Sequence, residues 1–285
     1  MNSKLYPFFV GLVFVLLSYG TYQGLVAAPP VEELAAGGEA QRIFYYHVPA
    51  AIVSYTLFAL NFLASLIYLW KRSSAADAFA VATAEVGVVF ASVTLALGMI
   101  WARYAWGHWW AWDMRLTTFL ILWLLYVSYL VLRRAAEAGS SAVMAAALAV
   151  IIFLDVPFNY MANRWFRGNH PEPVTLQSPA LKYALFANMI AFVAFGAVIV
   201  WFRYALERVE QRVAAIHAQR AAQGAFSLAL PAMFFFQNSH GNPIHYTYAG
   251  YTVAWVIYIG YLVLLTRKVA KLKREEQELR RSADR

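Results

Sequence analysis

The sequence predicts an all-α polytopic membrane protein, and three observations carry that expectation. Of 285 residues, 62% are hydrophobic and 13% charged, against roughly 45–50% and about 25% in a soluble domain. The apolar residues gather in blocks of about 17–25, the length that crosses a hydrocarbon core as a helix. Cysteine is absent, which excludes disulfides and any thiolate metal site. The net charge of +8 fits lysines and arginines holding a cytoplasmic side and need not mean nucleic acid.

The apolar runs fall at 5–27, 43–70, 79–101, 116–132, 142–158, 181–202 and 250–266. The first has only Lys4 ahead of it and is too long for a signal-peptide core, so it reads as a retained transmembrane helix. Lys71 and Arg72 close the second run, Arg133 and Arg134 the fourth, and Arg203, Arg208, Arg212 and Arg220 follow the sixth. Alternation places all of these on one face, which the positive-inside rule makes cytoplasmic. The loops 28–42, 102–115 and 159–180 then lie outside, carrying Arg42, Arg103, Arg115, Arg164 and Arg167. Arginines on that side call for an anionic ligand or an acidic partner.

Residues 203–224 space Leu206, Val209, Val213 and Ile216 by three and four, one apolar stripe of a helix. That helix lies along the cytoplasmic surface or extends the sixth span. Residues 267–285 carry eight Lys or Arg against four acids, with Lys271/Glu275 and Glu276/Arg280 at i,i+4, a solvated helix. Both basic stretches belong in the cytoplasm, yet only 250–266 lies clearly between them as a span. A second crossing falls to 225–236, AFSLALPAMFFF, which is short and interrupted by Pro231. Within the spans, Asp155 near the outer end of the fifth reads as a hydrogen-bonded structural carboxylate. Glu85 reads as wetted near the inner end of the third.

The stretch 101–115, WARYAWGHWWAWDMR, holds five of the ten tryptophans: Trp101, Trp106, Trp109, Trp110 and Trp112. An aromatic belt scatters its rings over all helix ends; this concentration instead points to a flat shelf for a large planar ligand. Gly107 would let the backbone approach closely, and Asp113 with Arg115 would fix the loop or meet a carboxylate. A haem macrocycle has that shape, with two propionates that arginine can clamp. Haem also needs axial ligands, for which imidazole is common. Of six histidines, His47 opens HVPA at the outer end of the second span and His170 lies in GNHPEP of an outer loop. These two are the candidate iron ligands. His108, inside the tryptophan stretch, reads as solvated or bonded within its loop. With no C-x-x-C-H, any haem is held without a thioether bond.

WGHWWAWDMR resembles the tryptophan-rich WGxWWxWDxR signature (WWD motif) of the haem-handling proteins of cytochrome c maturation. HVPA at His47 and WFRGNHP ending on His170 resemble that family's two external ligand segments, and the resemblance runs over about 1–205. A larger synthetase branch, of the CcsA or ResC type, adds histidines inside membrane helices; the third span here has none. The smaller CcmC branch fits better. The resemblance implies a six-helix haem-handling bundle in the bacterial inner membrane that presents non-covalent haem b on its periplasmic face. It implies delivery to the haem chaperone CcmE, with the transporter CcmA/CcmB driving its release, and no bond-making chemistry. His47 and His170 would ligate iron, and Trp106, Trp109, Trp110 and Trp112 would form the shelf, with Gly107 permitting close packing. Asp113 and Arg115 would shape the shelf and contact a propionate or the chaperone. Arg42 and Arg167 are weaker propionate candidates. Residues 245–281 resemble the accessory subunit CcmD, one helix with a basic cytoplasmic tail, as though fused to the handler. The expected units are therefore 1–205, a connecting stretch 206–240 and a CcmD-like helix 241–285, with both termini cytoplasmic. The alternatives are a cytochrome c haem lyase of the CcsA type or a haem exporter; no G-x-x-x-x-G-K-[ST] nucleotide site is present.

Overall fold

The computed structural model describes residues 5–30, 38–135, 140–170, 178–221 and 243–283. Among them there are helices and no strand. Seven helical segments are long and apolar enough to cross a membrane. The protein is an all-α polytopic membrane protein.

Helix α1, Leu5–Tyr22, ends in a π-helical turn over Gln23–Ala27. A short 3-10 helix, Gly38–Ile43, feeds α2, Phe44–Lys71. Helix α2 stops at Arg72, in the left-handed region at φ 52°, whose N–H bonds the Tyr68 carbonyl. Ser73 then starts α3, Ser74–Ala105, by accepting the Ala76 N–H. Helix α3 is the central element, with two thirds of its apolar window buried. Its alanines and glycines let neighbouring backbones come close, the packing mode available where lipid removes the hydrophobic drive between helices.

Helix α4 is Met114–Ala135. The fifth run, expected as one helix, is two: α5, Ser140–Ile152, and α6, Asp155–Trp165. Pro157 accounts for the break. It offers no N–H to the Phe153 carbonyl and its ring would clash there, but it fits the first turn of a new helix. Helix α5 packs against both α2 and α4, whereas α6 follows α4. The break therefore parts α2 from α6 at one end of the bundle, where a cavity forms. A bond from Tyr55 to Asn159 Oδ1 still ties the two at its floor.

Helix α7 runs unbroken over Pro179–Ala221. At 1.5 Å per residue its 43 residues reach about 65 Å, twice a hydrocarbon core. The amphipathic stretch 203–221 thus extends the sixth span rather than lying flat on a surface. Helix α8, Pro243–Ala283, includes the basic tail in the same rod. Proline sits at the first position of both α7 and α8, where a missing N–H costs nothing.

Helix α8 packs on α3, α7 and the 3-10 segment. Gly250 lies against Leu97 and Ile43, Tyr251 donates to the Arg42 carbonyl, and Tyr261 reaches Glu85. Lys268 pairs with Glu210 of α7 at 2.5 Å. Helices α7 and α8 therefore run parallel. The crossing expected at 225–236 lies outside the described residues.

Glu85 is not a wetted end residue. It is mostly buried and paired with Arg203 at 2.8 Å, while Arg203 also holds Glu207 at 2.8 Å. Arg133 grips Asp77 with two bonds of 2.7 and 2.8 Å. These pairs cluster at the end of the bundle opposite the cavity.

Candidate functional site

At the other end, α2, α3, α4 and the loop after α6 enclose a cavity of about 410 Å³. Phe44, His47, Val48, Ala51, Ile52 and Tyr55 line it from α2, at the spacing of one helix face. Thr94, Leu95, Gly98, Met99 and Trp101 line it from α3, with Arg115, Leu116 and Phe119 from α4. Trp106, Trp110, Tyr160 and His170 add to the wall, with Gln41 and Ile43 from the 3-10 segment and Leu185 from α7. The two histidines that the sequence singles out, more than 120 positions apart, thus share one cavity.

His47 sits in the second turn of α2, two residues before Pro49, with its ring laid on α3. A Cβ at Gly98 would stand 3.1 Å from its Cε1, so any larger residue there would press the ring outward by a few tenths of an ångström. Its Nδ1 is buried without a hydrogen-bond partner; the Thr94 carbonyl lies alongside but outside bonding geometry.

His170 is held through its backbone by Asp113. One carboxylate oxygen accepts the N–H groups of Asn169 and His170 at 3.0 and 3.1 Å. The other accepts the Leu116 N–H at 2.8 Å, so Asp113 is also the N-cap of α4. One side chain thereby starts the helix that carries Arg115 and clips the histidine loop to it. Of the roles the sequence suggests for Asp113, fixing the loop is the one this clamp performs, and both its oxygens are engaged in it. Asn163 of α6 adds a second hold, with Nδ2 at 3.1 Å from both His170 Nδ1 and the His170 carbonyl oxygen.

The tryptophans divide. Trp101, Trp106 and Trp110 line the cavity. Trp109 packs into the hydrophobic core, and Trp112 is 78% exposed. The rings do not lie flat together: Trp101 meets Trp106 at 81° and Trp110 meets Trp112 at 74°, both edge to face. The shelf expected from the sequence is therefore a corner of crossed rings, the arrangement that aromatic quadrupoles favour. Gly107 has a role other than close packing. Nothing lies within 4 Å of where its Cβ would be, but its φ is +77°, the left-handed turn that glycine takes without strain. Arg103 donates to its carbonyl.

Of the outer arginines, Arg115 alone lines the cavity. Its guanidinium donates a long bond, 3.3 Å, to the Tyr160 carbonyl. Arg42 is buried and spent on the carbonyls of Gly24 and Ala28 and on Glu39, so it is a structural strap and not a cavity cation. Arg167 is exposed on the loop and does not line the cavity. His108 is exposed, near the Trp106 ring at 5.9 Å. Asp155 does not make the full set of hydrogen bonds expected of it: its Oδ2 is buried and has no partner among the described residues.

Sequence reasoning passed over Gln41, Tyr55, Tyr160 and Asn163, and named Trp101 only as part of the tryptophan stretch. Gln41 is 1% exposed, lines the cavity, and leaves both amide atoms without a hydrogen bond. Trp110 Nε1 is likewise buried and unpartnered. Buried polar groups in folded proteins nearly always have partners. Gln41, His47 and Trp110 each bring an unpartnered atom to the residues lining the cavity, while Asn61, Ser65, Arg203 and Tyr258 hold others away from it.

The bundle and its pocket define a polytopic membrane protein with two imidazoles, crossed indoles and one guanidinium gathered at a single end. Residues 1–223 match the family described as Heme exporter protein C, and the chain belongs to this family, CcmC. It is 29% identical over 239 residues to the Heme exporter protein C of Bradyrhizobium diazoefficiens, covering 81% of this chain and 89% of the relative. It is 32% identical over 209 residues to that of Paracoccus denitrificans, covering 70% and 86%. Against that of Escherichia coli K12 it is 32% identical over 193 residues, covering 66% and 78%. The chain is a haem-handling membrane protein of this family, and the family match ends before α8.

Proposed function

We propose that the cavity binds haem b non-covalently between His47 and His170 and presents it to the haem chaperone CcmE on the periplasmic face of the bacterial inner membrane. The observation that carries this reading is the cavity itself: two imidazoles and three indoles on one wall system, with orphaned polar groups at Gln41, His47 and Trp110. Imidazole nitrogens suit iron, indole faces suit the macrocycle, and Arg115 is the cation placed to meet a propionate. The protein's own contribution is to hold, orient and shield the cargo; it forms no bond to the porphyrin. Trp112, exposed beside the pocket mouth, is the indole left for a chaperone to touch. CcmA and CcmB act on the loaded chaperone afterwards.

Helix α8 takes the place of a CcmD subunit. Its direction, parallel to α7, and its grip on the 3-10 segment before His47 support that assignment. Positive-inside bias at Lys71, Arg72, Arg133 and Arg134 puts the charge-paired end, and both termini, in the cytoplasm.

The test is transfer. Full-length protein loaded with haem in detergent and mixed with purified apo-CcmE is expected to pass haem to it. The Trp110→Ala protein should bind less haem, whereas Trp112→Ala should bind it normally and pass it on slowly. Haem that stays with the wild-type chain in the presence of CcmE would overturn the delivery role.

A further inference from the structure

The two histidines are held differently, and the difference lies in one amide. Asn163 Nδ2 stands 3.1 Å from His170 Nδ1 and 3.1 Å from the His170 carbonyl oxygen. An amide nitrogen carries two protons and accepts none. It gives one to the carbonyl and one to the ring. Turned by 180°, the amide would set its own oxygen against the carbonyl oxygen at the same distance, so the carbonyl fixes which end faces the ring. A neutral imidazole that accepts at Nδ1 carries its proton on Nε2. Iron needs a nitrogen lone pair. In this tautomer Nε2 has none to give, and Nδ1 is covered by Asn163. At His47, by contrast, Nδ1 has no partner and no amide sets the tautomer.

We infer that Asn163 holds His170 in the tautomer that does not bind iron, which makes His170 the weaker and releasable ligand of the pair. The inference rests on the reading of His170 as an iron ligand given above. Loading moves no electrons. The Nε2 proton leaves to water, Nδ1 takes up a proton from water, the Fe–Nε2 bond forms, and the Asn163 hydrogen bond to the ring breaks. Release reverses each step and restores that bond. A carrier that must surrender its cargo gains from such a ligand, because the resting state offers His170 a competing partner at no distance. Asn163 is thus a positioning residue that acts through His170. Asn163 also bonds the His170 carbonyl, but the loop keeps its other hold without it, since Asp113 accepts the N–H groups of Asn169 and His170.

The experiment compares wild type with Asn163→Leu as full-length haem-loaded protein in detergent, following haem loss to excess apomyoglobin. Removing the competing bond is expected to slow the loss roughly three- to tenfold, the worth of one neutral hydrogen bond. A merely structural asparagine predicts the reverse, and faster loss from the variant would overturn the inference. A second measurement needs neither haem nor the variant: nitrogen NMR of haem-free wild type with labelled histidine, the His170 signals identified by their absence in His170→Ala. An Nε2–H tautomer supports the inference, and an Nδ1–H tautomer overturns it. The same His170→Ala protein separates the two levels of the argument. If its loaded spectrum stays low-spin, the ligand reading fails and this inference with it. If it turns high-spin while wild type shows Nδ1–H, only the role of Asn163 fails.

Discussion

The two ends of the bundle treat buried polarity in opposite ways. At the charge-paired end, Asp77 meets Arg133, Glu85 and Glu207 share Arg203, and Glu210 meets Lys268. At the cavity end, Gln41, His47, Trp110 and Asp155 each keep a buried polar atom without a hydrogen bond. Both arrangements sit in an apolar chain where an unmet polar group is costly. The first end pairs its charges with one another, although Arg203 Nη1 and Asn61 Oδ1 keep no hydrogen-bond partner among the described residues, and so fixes helices α3, α7 and α8 against one another. The second carries unmet atoms on residues that line an apolar cavity, where an arriving ligand would find polar side chains not already bonded to one another. Stability and function are thus divided along the helix axes.

That division can be broken at either end, and the largest effect belongs to the paired one. Arg203→Leu leaves Glu85 and Glu207 facing each other with no cation between them. Removing one partner of a buried pair costs about 3–5 kcal/mol. The expected outcome is a large drop in thermal stability in detergent, with haem affinity unchanged in whatever fraction remains folded. Loss of haem binding from a fully folded Arg203→Leu protein would mean that the two ends are not separable.

At the cavity end, Arg115→Ala should weaken haem binding by roughly tenfold to a hundredfold, the worth of a charged hydrogen bond, with little loss of stability. Haem dimethyl ester, which lacks the carboxylates, should bind wild type and variant alike; a difference between them with the ester would place Arg115 elsewhere in the mechanism. Asp113→Ala falls between the two ends in kind. It removes a helix cap, worth about 1 kcal/mol, and frees the His170 loop, so thermal stability and low-spin haem should fall together. A stability loss with an intact spectrum would show that the clamp does not govern the ligand. The smallest expected effect is Trp112→Ala. As an exposed ring it should change stability by no more than about 0.5 kcal/mol and leave haem affinity alone.

Much of this contrast was legible in the sequence, and the rest was hidden for physical reasons. The seven spans, His47, His170 and Arg115 all followed from apolar block length, basic flanks and residue type. The division of the fifth run did not, because its hydropathy is continuous across Leu154 and only Pro157 marks the change. Whether 203–221 lay flat or extended α7 is undecidable from one apolar stripe, since both uses bury one face. The tryptophans were read as a set. Which indole faces the cavity depends on the turn at Gly107 and on the packing of Trp109, neither of which is a property of local composition. Asp113 was read as fixing the loop or meeting a carboxylate; residue type left the two open, and its position just before an apolar helix was the available sign of an N-cap. Gln41 and Asn163 carry no motif at all. Their roles come from partners, or the lack of them, that only the folded chain supplies.

The central claim is that His47 and His170 hold haem together in one pocket. The direct measurement is the visible spectrum of the purified, haem-loaded protein beside His47→Ala and His170→Ala. Wild type is expected to show a low-spin spectrum with two nitrogen ligands, and each variant to convert to high-spin haem or lose haem. Low-spin spectra unchanged in both variants would contradict it.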